Sequence, residues 1–170
     1  MTAEVATGVA ERVDGLRARV AAACRRAGRP EDGVAIVAVA KGVAPEAVAE
    51  AIGAGIRHVG ENRVADGAAR RAAVEAILGP GGATWHLVGA LQRNKVARAL
   101  DAFDRVDSVG GLRLAMRLDE LSRARGRRLP VLLQVALDDD PGRNGLPPGD
   151  VPAAARALSA LEHLEPRGLM

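Results

Sequence analysis

A chain of 170 residues and 17.5 kDa is long enough to bury a core as a single domain, and its one cysteine, Cys24, excludes an internal disulfide and a thiolate zinc site and points to a reducing compartment. With 48% hydrophobic and 26% charged residues, disorder is excluded. The 24 cationic residues exceed the 21 acidic ones by only three, a weak field if spread over the chain, and Trp85 and Phe103 are the sole aromatic residues, too few for the stacking platform that single-stranded nucleic acid requires.

Glu4 to Ala27 has helical periodicity, closed by Gly28 and Pro30. Val34 to Ala40 reads Val-Ala-Ile-Val-Ala-Val-Ala, an apolar run without alternation, which predicts a strand covered on both faces in a parallel sheet. A helix is expected over 45–54, with Pro45 in its first turn. Strands over 56–60, 84–89, 105–109 and 130–136 then alternate with helices over 63–78, 91–100, 112–125 and 151–163, and Arg167 to Met170 begins a sixth strand. The longest charge-free stretch, Ala76 to Gln92, is broken by Gly79-Pro80-Gly81-Gly82 and cannot span a bilayer. The amino terminus, with Glu4, Glu11 and Asp14, does not read as a signal peptide, so a cytoplasmic location is expected.

Repeated strand-helix units leave a choice between a doubly wound sheet and a (β/α) barrel. Gly53-Ala54-Gly55-Ile56-Arg57-His58-Val59-Gly60 lacks the third glycine of a dinucleotide fingerprint and runs from helix to strand, the reverse of the required order. The barrel is therefore expected, with its chemistry at the carboxyl ends of the strands.

Of the 24 cations, 22 are arginine and two, Lys41 and Lys95, are lysine. Arginine supplies charge but stays protonated, whereas a lysine amine can lose its proton when desolvated, at Lys41 with the help of the apolar strand behind it, and attack a carbonyl. Lys41 immediately follows the first apolar strand, where a barrel carries its reactive groups. Scarcity and placement thus meet on one residue. Asp138-Asp139-Asp140 lacks the spacing of a calcium loop and reads as a solvated turn, and Arg123, Arg125, Arg127 and Arg128 read as a solvated helix cap.

Four segments, Val39-Ala40-Lys41, Gly60-Glu61-Asn62-Arg63-Val64, Trp85 through Lys95 and Arg167-Gly168-Leu169-Met170, resemble in order and spacing the pyridoxal phosphate homeostasis proteins. The resemblance implies one domain over 1–170, built like the barrel domain of alanine racemase. It implies pyridoxal 5′-phosphate (PLP) held as a Schiff base on Lys41, and a carrier of the cofactor rather than an enzyme with turnover. PLP-dependent apoenzymes would be its recipients, with neither nucleic acid nor membrane as a partner and a monomer expected for a complete chain. Asn62 would bond near the cofactor or cap the helix that follows. His86 would face the ring or be a buried structural histidine, because Trp85 and His86 point to opposite sides of their strand. Lys95 reads as a solvated cation.

Arg143-Asn144-Gly145 has arginine where the family usually has lysine. Five strands and the start of a sixth, out of eight, leave the barrel short of its later strands and of the phosphate-binding loops that follow them, so weakened cofactor affinity is expected. A PLP-dependent racemase-like enzyme and an inactive fragment are the alternatives. The absence of tyrosine weighs against the racemase, whose second base is a tyrosine.

Overall fold

The computed structural model describes residues 8–137 and 144–170, so the acidic run at 138–140 and Arg143 lie outside the described residues. Strands β1 (Val37–Val39), β2 (His58–Glu61), β3 (Thr84–Leu87), β4 (Arg105–Val109), β5 (Leu129–Leu133) and β6 (Leu164–Leu169) alternate with helices. Helix α1 (Val9–Arg26) precedes them, and α2 (Pro45–Gly53), α3 (Val64–Leu78), α4 (Val96–Ala102), α5 (Leu112–Arg123) and α6 (Val151–Ser159) fill the crossovers. Every neighbouring pair is parallel and the order across the sheet is β1-β2-β3-β4-β5-β6. A doubly wound sheet reverses its order at a switch point. This sheet never reverses, so it is an arc of a (β/α) barrel, as the missing fingerprint predicts. The sixth strand is more than a beginning: it runs six residues, and the Met170 N–H donates onward to Leu133 O at 2.8 Å.

Alternation sorts the strand residues between two faces. Val59, Trp85, Leu87, Val106, Leu129, Val131 and Leu133 are buried against the apolar stripes of the helices, among them Ile52, Val74, Val96, Leu118 and Leu158. Packing is close enough to require glycine at one point: a Cβ on Gly67 of α3 would sit 2.3 Å from Cζ of Phe103. The opposite face carries Val37, Val39, His58, Gly60, His86 and Val88, since Val37 and Val39 both approach the position a Gly60 Cβ would take.

Three expectations need correction. The apolar run at 34–40 is covered on one side only: β1 is an edge strand, and Val39 is 54% exposed on the open face. The helix expected from residue 91 starts at Val96, after a 3₁₀ turn over Arg93–Lys95. The arginines after α5 form a solvated cap only in part: Arg123, Arg125 and Arg128 are exposed and Arg125 donates to Leu121 O of its own helix at 3.3 Å, but Arg127 is turned to the neighbouring α4, donating to Leu100 O at 3.1 Å and Phe103 O at 3.0 Å, and Arg125 also reaches Ala97 O and Asp101.

Candidate functional site

The carboxyl ends of β1 and β2 form the rim of the site. Lys41 lies two residues past the end of β1, after the buried Ala40, and is exposed, so the apolar strand behind it does not desolvate the amine as expected. Gly42, at φ 74°, turns the chain back there, a conformation that strains any residue bearing a Cβ. The loop is tied down from below. Glu61 is 1% exposed and ion-paired to Arg70 of α3, and the same guanidinium donates to the carbonyl of Val43. A buried carboxylate without a partner is costly, so Glu61 holds Arg70, and Arg70 holds the Lys41 loop.

Asn62 stands at the end of the neighbouring strand, one step past Glu61 and exposed. It does not cap the next helix: Arg63 takes the cap position of α3, without a side-chain bond, which leaves the Asn62 amide free of that duty. Its main chain is pinned by Gly89, where a Cβ would lie 2.0 Å from Asn62 O, and the Gly89 carbonyl accepts a 2.7 Å bond from Ser108 Oγ.

His86 lies deeper. It pairs in register with Gly60, two residues back from Asn62, or about 7 Å below the rim at the usual strand rise. It points to the open face, and Trp85 points to the helices. At 3% exposure it sits in a row of polar groups: Arg105 Nε donates to Asp107 Oδ1 at 2.7 Å, His86 Nδ1 lies 2.7 Å from Asp107 Oδ2, and His86 Nε2 lies 3.0 Å from His58 Nδ1. Burial alone would raise the Asp107 carboxyl, yet the bonds and charges of His86 and Arg105 hold it below the usual range. An ionised Asp107 only accepts, so His86 must donate from Nδ1. The other ring nitrogen, His86 Nε2, is engaged by His58 Nδ1. Burial, together with the charges of His86 and Arg105, lowers the His58 pKa and keeps that imidazole neutral.

Lys41 and Asn62 thus follow neighbouring strands at the same end of the sheet, with His86 in the layer beneath and both its nitrogens engaged. Glu61, Arg70, His58, Arg105 and Asp107 are the site residues that the sequence did not single out. Only β4 carries a visible signal, since Arg105-Val106-Asp107 alternates charged and apolar where a fully covered strand would not. An adjoining cleft of about 1340 Å³ opens between α3, α4 and the amino end of α5; Asn62 lines it, and Lys41 and His86 do not. No described helix is long and apolar enough to cross a membrane.

The family model of the alanine racemase N-terminal domain matches residues 12–170. The pyridoxal phosphate homeostasis protein of Escherichia coli K12 is 34% identical over 162 residues, which cover 95% of this chain and 69% of that protein. PipY of Synechococcus elongatus superposes with a TM-score of 0.82 and 38% identity in its structure without PLP. Its structure with PLP bound gives 0.79 and 37%; both cover 95% of this chain and 69% of PipY. An alanine racemase of Clostridium difficile, 16% identical, shares the fold alone, with a TM-score of 0.66 over 91% of this chain and 38% of its own.

Proposed function

The chain belongs to the alanine racemase N-terminal domain family and, within it, to the pyridoxal phosphate homeostasis proteins, and on that premise we propose that it binds PLP and carries it without catalytic turnover. When bound, PLP supplies an aldehyde that condenses with a primary amine and releases water. Lys41 provides the amine through Nζ, and the Asn62 amide beside it hydrogen-bonds the cofactor. His86 serves as the floor of the site and not as a donor, because Asp107 and His58 occupy its two nitrogens. The recipients are PLP-dependent apoenzymes of the cytoplasm.

One observation carries this reading: Lys41, one of two lysines in the chain, lies just past the first strand on a loop held by the Glu61–Arg70 pair. The residues present fit the aldehyde end of the group. The amine is reachable, its neighbour Asn62 is polar and unspent on capping, and the face beneath is hydrogen-bonded throughout.

The test is reduction of the PLP-treated chain with borohydride, followed by peptide mass spectrometry. One pyridoxyl group on Lys41 is expected, with its visible absorption lost in Lys41→Ala. Equal labelling of the wild type and of Lys41→Ala, with the label on Lys95 or the amino terminus, would refute the assignment.

A further inference from the structure

We propose that the cleft between α3, α4 and the amino end of α5 docks an acidic, amphipathic segment of a partner protein. This stands on the cleft alone and does not depend on cofactor binding. Its walls carry six cations, Arg63, Arg71, Arg93, Lys95, Arg98 and Arg113, against three carboxylates, Asp66, Glu75 and Asp101. Among the described residues cations exceed carboxylates by 23 to 17, and half of that excess of six lines this one cleft.

Little of this charge is neutralised internally. Arg71 is spent on Glu75 at 2.8 Å and Asp104 at 3.1 Å, and Asp101 is taken by Arg125 at 2.8 Å from outside the cleft. The other five cations make no ion pair with a described residue. Helix α5 adds to the field: it has no acidic residue in its first turn and no side-chain cap, and Gly111 and Leu112 at its start line the cleft.

Size and chemistry choose the occupant. A volume of about 1340 Å³ exceeds that of small-ligand sites, which span roughly 300–1,000 Å³. A lone phosphate compound would leave most of the cations unmet, since they are distributed over α3, the turn at 93–95, α4 and α5. Single-stranded nucleic acid is disfavoured because Trp85 and Phe103, the only aromatic residues, are each 1% exposed inside the core. Between the cations the lining is apolar, with Ala65, Ala68, Ala72, Leu91 and Leu112. A peptide that alternates carboxylates with small apolar side chains matches both the charge and the floor, and arginine forks pair with carboxylates in two-point fashion.

The experiment measures fluorescence anisotropy of a labelled Glu/Leu-alternating dodecapeptide with the full chain at low ionic strength. The expected result is saturable binding that weakens with salt and falls about tenfold or more in Arg98→Glu/Arg113→Glu. The control pair Arg19→Glu/Arg26→Glu, on α1 and away from the cleft, changes the net charge equally and is expected to leave binding within about twofold. Arg98→Gln/Arg113→Gln, which removes charge without reversing it, is expected to give an intermediate loss. All these arginines are exposed, and unchanged circular dichroism and melting would confirm folding. No saturable peptide binding, or an equal loss in the control pair, overturns the proposal. So does tighter binding of tripolyphosphate or of a single-stranded oligonucleotide through the same arginines.

Discussion

The pH dependence of the open face follows from His58, at the end of its polar row. The His58 pKa is lowered by burial and by the charges of His86 and Arg105. The unfolded chain therefore takes a proton at His58 at a higher pH than the folded one does. Above the unfolded value of 6.5 this group contributes no pH dependence, and as pH falls through 6.5 toward the lower folded value stability declines. His58→Asn retains a donor toward His86 and removes the titration, so the decline in urea midpoint between neutral and mildly acidic pH is expected to flatten. An unchanged slope would assign the titration elsewhere. At Glu61 the effect is larger. Arg70→Leu strands a buried carboxylate and is expected to destabilise the chain by about 3 kcal/mol. Adding Glu61→Leu should recover most of that loss in the same denaturation assay, because no buried charge then remains. The Arg70 carbonyl bond to the 41–44 loop is lost in both variants, so both should label more slowly at Lys41 with PLP.

Among the helices, two glycines of the same kind separate propensity from packing. Gly15 lies within α1 with nothing within 4 Å of an added Cβ, and Gly67 lies within α3 against Phe103 and Glu61. Alanine is favoured over glycine by about 1 kcal/mol in a helix interior. Gly15→Ala is therefore expected to stabilise by about that amount. At Gly67 the same gain meets a ring carbon 2.3 Å away in a core that cannot yield, and overpacking costs about 1–3 kcal/mol. Gly67→Ala is expected to lower stability, and opposite shifts in melting temperature for the two variants check both. Nothing in the sequence tells these glycines apart, since both sit in alanine-rich helical stretches. The difference arises from α3 and the chain at Phe103 meeting in space.

At the scale of the molecule, a six-stranded arc has two edges, and β1 is the one bordering the site. Val37 and Val39 are exposed there, as are Leu169 and Met170 at the other edge. Unpaired strand edges with apolar side chains recruit further strands. The 170-residue chain is therefore expected to self-associate as its concentration rises, and Val39→Lys is expected to reduce this in sedimentation velocity without lowering the melting temperature. Association unaffected by the lysine would place the contact away from β1.

The barrel class was legible because periodicity and turn chemistry are local properties: β4 runs over 105–109 as its pattern predicts, and α2 and α3 begin within a residue of expectation. Lys41 could be singled out because scarcity is a count and its place after the first strand follows from sequence order. The His58–His86–Asp107–Arg105 row was not, since it joins three strands and exists only in their register. Nor were the Glu61–Arg70 tether and the excess of cations that lines one cleft. A linear sequence specifies which residues are apolar, charged or rare. Which of them become neighbours depends on loop closure and packing across many residues, and that was decided only when the sheet assembled.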